Sequence, residues 1–115
     1  MAHADTCIFC KIANKEIETT LIADNEHAVV FADRSPRAPV HYLIVPKEHI
    51  ININDLDDSH QKVTWAMLKL AQQVAQEQPE CSFRLVANNG KEAGQEVFHM
   101  HWHFMASRPG SPLSA

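Results

Sequence analysis

The 115-residue chain predicts an α+β fold, a five-stranded antiparallel sheet carrying one long helix and a short N-terminal helix. Two observations point there. Apolar segments of strand length follow one another in runs, and only one long stretch, between the third and fourth of them, has helical periodicity. A parallel doubly wound sheet would need more regular alternation of strand and helix.

Taken in order, residues 7–17 (CIFCKIANKEI) place Ile8, Phe9, Ile12 and Ala13 at mixed three-to-four spacing, a short helix. LIAD at 21–24 and HAVVFAD at 27–33 flank the polar residues Asp24 to Glu26 and read as a β-hairpin. RSPRAP at 34–39 holds two prolines and can only be a loop. VHYLIVP at 40–46 is rich in β-branched and aromatic residues and forms a third strand, which Pro46 ends.

The long helix covers residues 59–78, where Val63, Met67, Leu70, Ala71 and Val74 make one apolar stripe. Asp57 or Asp58 can cap its first turn, and Pro79 forbids continuation. SFRLVAN at 82–88 is the fourth strand, NGKEAG at 89–94 a turn-forming loop and VFHMHWHFMA at 97–106 the fifth strand.

Composition narrows the function classes. Ten basic against fourteen acidic side chains give a formal net charge of −4, with no Lys/Arg cluster able to track a phosphate backbone, so no nucleic-acid partner is expected. A small nucleotide stays open, because backbone N–H groups, amides and neutral imidazoles can hold a phosphate. No apolar run approaches the roughly 18 residues of a membrane span, and the opening MAHADTC has neither the basic nor the apolar region of a secretory signal. The expectation is one domain over residues 1–115, cytoplasmic and without a membrane partner.

Among eight histidines, three fall within five residues: His99, His101 and His103. Strand alternation sends them to one face and Met100, Trp102 and Phe104 to the other, ready for a core. Two apart on one face means Cα atoms about 6.6 Å apart, close enough for imidazoles to share one phosphate or one metal. A tri-histidine metal site is the rival reading of the spacing. Just upstream, Asn88, Asn89, Gly90, Gly94 and Gln95 supply a glycine-containing loop with amide donors that can wrap a phosphate.

Residues 94–104, GQEVFHMHWHF, resemble the signature of the histidine-triad (HIT) nucleotide hydrolases and transferases. TCIFCKIANKEI resembles that family's opening segment, FADRSPRAPVHYLIVPKEHI its second and third strands, and SRPG the turn after the triad in the Hint branch. The resemblance implies a HIT-like fold and a role for each matching residue. His101 is the nucleophile that attacks the α-phosphorus; His103 binds phosphate oxygens or protonates the leaving group, and His41 joins that relay. Asp33 holds the ribose hydroxyls, Ile8, Phe9 and Phe31 wall the base pocket, and Asn88, Gly94, Gln95 and the backbone N–H groups of Glu96 and Val97 cradle the phosphate. For the three apolar residues, ordinary core packing is the competing reading. Two departures from the Hint pattern concern substrate preference: Glu96 stands where some members have a phosphate-contacting serine, and Arg34 replaces an apolar residue near the base.

Cys7-x-x-Cys10 alone allows inert thiols, a redox pair or half a zinc site. The resemblance implies a structural Zn²⁺ held by Cys7, Cys10, His49 and His99. Cys81, between helix and strand, reads as a structural thiol. The implied activity is hydrolysis of purine nucleoside phosphoramidates or related nucleoside monophosphate derivatives by a homodimer with an intersubunit sheet. The alternatives are a dinucleoside polyphosphate hydrolase of the Fhit type, or a module that binds nucleotides or proteins without turnover.

Overall fold

The computed structural model describes residues 7–114. The expectation about the first six residues lies outside them. Helix α1 spans Ile8–Ala13, and Cys7 caps it by accepting the Cys10 N–H at its Sγ, 3.3 Å away. Strands β1 (Leu21–Asp24) and β2 (Ala28–Ala32) form the expected hairpin, and β3 (Val40–Pro46) has the expected bounds. Helix α2 (Gln61–Ala75), β4 (Arg84–Ala87) and β5 (Trp102–Ala106) complete the framework.

The five strands lie in the order β1-β2-β3-β5-β4, with every neighbouring pair antiparallel. α2 packs against one face, where its Val63, Met67, Leu70, Ala71 and Val74 meet Val30, Ile44, Trp102 and Phe104. This is the stripe predicted from periodicity, buried at roughly 25 cal/mol per Å² of apolar surface removed from water. α1 covers part of the other face through Phe9 and Ala13, packed on Val29, Phe31, Leu43 and Val45. None of the described helices is long and apolar enough to cross a membrane.

α1, β2 and β4 are shorter than the segments read from the sequence, and three further boundaries differ for a local reason. α2 begins at Gln61, because Asp57 caps a 3-10 turn at Asp58–His60 through a reciprocal capping box. It ends at Ala75, and Gln78, extended at ψ 156°, then adopts the conformation that a following proline favours. The fifth strand begins at Trp102 and not at residue 97. Met100 N–H donates to the Ile50 carbonyl at 2.6 Å, so this backbone is held by the 50–51 loop before it joins the sheet. The alternation survives this: Met100 shares the α2-facing core with Trp102 and Phe104. Cys81 is exposed and left-handed at φ 54°, so it is no buried structural thiol.

Candidate active site and metal centre

β5 lies between β3 and β4, and the register sets His103 opposite Leu43 on one side and Val86 on the other. His41, two residues before Leu43, shares that face and stands diagonal to His103, within side-chain reach. Both imidazoles are buried, and His41 Nε2 lies 2.9 Å from His103 Nδ1. The Arg37 backbone N–H donates to His41 Nδ1 at 3.0 Å, so neutral His41 carries its proton on Nε2. That proton is donated to His103 Nδ1, which leaves the His103 proton on Nε2. Asp33 Oδ2 stands 3.4 Å from His41 Nε2 and 3.9 Å from His103 Nδ1. Its Oδ1 accepts the Ser35 N–H at 2.7 Å, which fixes the carboxylate.

Burial lowers the pKa of His103 to about 4, with the charges of His101, His41 and Arg37 adding to the effect and Asp33 opposing it. His41 is lowered as well, first by burial, against Asp33, with Arg37 adding. Near pH 7 both are therefore neutral in the ligand-free protein.

His101 is held differently. Its Nδ1 faces the His99 carbonyl at 2.8 Å, an acceptor only, so Nδ1 carries the proton and Nε2 keeps its lone pair. Phe9 packs edge-on against the ring at 5.1 Å between centroids, and the His103 ring lies 5.3 Å away. Geometry and tautomer together leave an unprotonated Nε2 on His101 beside the His103 ring.

His101 and His103 line a cleft of about 930 Å³. Ile8, Phe9 and Phe31 form part of its wall, with Asp33, Asn88, Gly94, Glu96 and Val97 also on its lining. The sequence-predicted residues thus converge, with two exceptions. His41 sits behind His103, and Gln95 does not line the cleft. The Gln95 side chain turns inward, accepting from Gly90 N–H at 2.8 Å and from Asn52 Nδ2 at 3.1 Å, and donating to the Ile51 and Val97 carbonyls at 2.7 and 3.1 Å. Its backbone N–H is taken by the Gly90 carbonyl. Gln95 shapes the loop and offers no free donor to a phosphate. Gly90 and Gly94, at φ 98° and 96°, bound the 3-10 turn Lys91–Ala93 with positive-φ conformations that glycine adopts without strain.

The expectation that all three triad imidazoles face one phosphate is also corrected. His99 is fully buried and serves a separate cluster. Its Nε2 donates to the Pro46 carbonyl at 2.7 Å, so its Nδ1 lone pair faces Cys7 Sγ and Cys10 Sγ, each 3.3 Å away. His49 Nδ1 lies 3.1 Å from Cys10 Sγ, and the four donor atoms all fall within 4.8 Å of one another. Tetrahedral zinc sets neighbouring sulfur and nitrogen donors about 3.5 Å apart, so the cluster fits a closed metal site. The carbonyl behind His99 is the outer partner that orients a ligating imidazole. These residues can hold a metal ion, which would pin α1 to the segment leading into β5.

Residues missed by sequence reasoning also line the cleft: Ile12, Thr19, Ser35, Arg37 and Leu43. Nothing in RSPRAP beyond its loop character signalled that Arg37 would touch the His41 relay through its backbone.

An antiparallel sheet that presents one imidazole lone pair and one imidazole N–H to the same cleft defines the class of histidine-triad hydrolases. The family model described as "Scavenger mRNA decapping enzyme C-term binding" matches residues 6–114, and the chain belongs to the histidine-triad family. It is 34% identical over 114 residues to the purine nucleoside phosphoramidase of Escherichia coli K12, covering 97% of this chain and 96% of that one. Protein HitA of Neisseria gonorrhoeae is 38% identical over 104 residues, 90% and 97% of the two chains. Among solved structures, a HIT family hydrolase from Legionella pneumophila superposes with a TM-score of 0.83 at 39% identity over 92% of this chain and 96% of that one. A Zn-bound histidine triad protein from Mycobacterium smegmatis does so at 0.78 and 28% identity, over 95% and 80%.

Proposed function

We propose that residues 1–115 form one histidine-triad domain that hydrolyses purine nucleoside phosphoramidates, or related nucleoside monophosphate derivatives, through a nucleotidyl-His101 intermediate. The observation that carries the reading is the His101 Nδ1 contact with the His99 carbonyl at 2.8 Å, which leaves Nε2 as the nucleophilic atom beside His103. Similarity to a purine nucleoside phosphoramidase supports the substrate class.

The cleft residues divide the work. Ile8, Phe9 and Phe31 take the base, Asp33 the ribose, and Asn88, Gly94 and the backbone of Glu96 and Val97 the phosphate. A bound phosphate brings negative charge beside His103 and favours its protonated form. In that form His103 Nδ1 also carries hydrogen, so the His41 Nε2–H turns from His103 to Asp33 Oδ2, 3.4 Å away, and that carboxylate supplies the balancing charge. His101 Nε2 then bonds to phosphorus as the bond from phosphorus to the leaving atom breaks, and the His103 Nε2 proton goes to the leaving atom. In the second step water attacks phosphorus, its proton passes to the vacated His103 Nε2, and His101 departs unchanged. General acid–base help of this kind contributes about 10² to 10⁴ in rate.

Zinc at Cys7, Cys10, His49 and His99 belongs to this reading as a structural ion, with no open position for chemistry. Thiolate donors suit a reducing compartment, which supports a cytoplasmic location. β4 is an edge strand, and its unpaired backbone row supports a homodimer joined sheet to sheet.

The test is incubation with an adenosine 5′-phosphoramidate. The wild type should release AMP and, on quench in alkaline denaturant, show a nucleotidyl adduct by mass, while His101→Ala should show neither. Equal AMP release by both proteins would overturn the role of His101.

A further inference from the structure

The loop of residues 33–37 carries two arginines into the cleft, and the roles above leave both guanidinium groups without a function. Arg34 and Arg37 are exposed, line the cleft together with His101 and His103, and neither is ion-paired among the described residues. Glu96, the exposed carboxylate on the glycine loop, is not ion-paired with either of them. Asp33 and Glu96 line the same cleft, yet neither carboxylate lies within ion-pair distance of either guanidinium, which leaves both cations available to an anionic group entering the cleft.

The two arginines are not equivalent. Arg37 is tied to the relay by its own backbone N–H on His41 Nδ1, and its charge is felt by both His41 and His103. Arg34 is the immediate neighbour of Asp33, on the side assigned above to the ribose. Since His103 hands its proton to the leaving atom in the proposed reaction, a cation that lines the same cleft, on the segment whose backbone meets His41, is placed to meet the leaving group. The loop is also preorganised: Pro36 and Pro39 restrict its backbone, and the Ser35 N–H is clamped on Asp33 Oδ1 at 2.7 Å.

We propose that Arg37 forms a leaving-group subsite that selects substrates whose leaving group carries an anion, a carboxylate or a further phosphate, close to the scissile bond. The proposal rests on the reaction proposed above and adds its substrate class. A guanidinium suits the task because its fork can meet either group with two parallel hydrogen bonds and it stays charged at any working pH. No new bond-making step is involved; the anion is held while phosphorus changes partners.

The experiment compares two adenosine 5′-phosphoramidates of equal length, one of glycine and one of glycinamide, which differ in the charge of the leaving amine. The ratio of their kcat/KM values is measured in the wild type, Arg37→Gln, Arg37→Lys and Arg34→Gln. Using the ratio cancels any general change in rate and any difference in intrinsic reactivity. Arg37→Gln should lower the glycine-to-glycinamide ratio about tenfold, Arg37→Lys should restore part of it, and Arg34→Gln should leave it near the wild-type value. A parallel titration with ADP and AMP reads the phosphate: loss of an ADP preference in Arg37→Gln, without a change in the glycine ratio, assigns the subsite to phosphate and not carboxylate.

If Arg37 only tuned the imidazoles, Arg37→Gln would shift the pH profile of both substrates equally, leaving the ratio and the ADP preference unmoved, and the proposal would fall. Equal losses in Arg34→Gln and Arg37→Gln would mean diffuse cleft charge and would also overturn it. If the wild type turns over neither phosphoramidate, the reaction is wrong but the subsite is still decided. In that case the ADP-to-AMP and glycine-to-glycinamide preferences are read as dissociation constants, and their indifference to Arg37→Gln refutes it.

Discussion

Single side chains in this protein owe their chemistry to what holds their far nitrogen. His101 keeps a free Nε2 because a carbonyl takes its Nδ1 proton; His99 presents Nδ1 to two thiols because another carbonyl takes its Nε2 proton. His103 gives a pH prediction. An unfolded histidine titrates near 6.5, whereas the native one stays neutral down to about 4. Between those values the unfolded chain binds more protons, so this contribution to stability is intact above about pH 6.5 and is lost as pH falls toward 4. Urea midpoints measured at pH 7 and pH 5 should drop between the two, and His103→Asn should flatten the drop. Gln95 gives a second prediction. Its amide serves four loop partners, so Gln95→Ala should cost about 1–3 kcal/mol in urea unfolding and raise KM by loosening the phosphate loop. An unchanged KM would separate Gln95 from the site.

At the scale of elements, the α2 stripe separates load from ornament. Leu70→Ala, at a position 1% exposed, should destabilise by about 2–5 kcal/mol, whereas Trp65→Ala, at 62%, should stay within about 0.5 kcal/mol. Both are read from urea curves. This helix and the first three strands were legible because their signals are local: apolar periodicity in the helix, and short apolar runs broken by polar or proline-bearing turns in the strands. The alternation of Met100, Trp102 and Phe104 was legible too. What the sequence hid was long-range. The start of β5 depends on Met100 bonding to Ile50, fifty residues upstream. The inward turn of Gln95 depends on Asn52 and Ile51, and the placement of Arg37 in the cleft depends on how the 33–37 loop lies on the sheet. No window of neighbouring residues encodes those meetings. His99 and His101 illustrate the same limit, for two residues of one motif serve different centres and only the fold around them decides which.

Over the whole molecule, the proposed zinc ion joins parts that are distant in sequence: α1, the segment after β3 and the approach to β5. One zinc per chain is expected by elemental analysis, absent in Cys7→Ser, and stripping it with a chelator should lower the melting temperature. A metal-free native protein with an unaltered melting curve would remove this element of the reading. The sheet has a further consequence. Because Met100, Trp102 and Phe104 press into the helix-facing core while His101 and His103 open from the reverse side of the same short stretch, structural upkeep and reactivity share one piece of backbone. A substitution that reshapes the hidden core therefore acts on the same ribbon that sets where the His101 and His103 rings sit in the cleft.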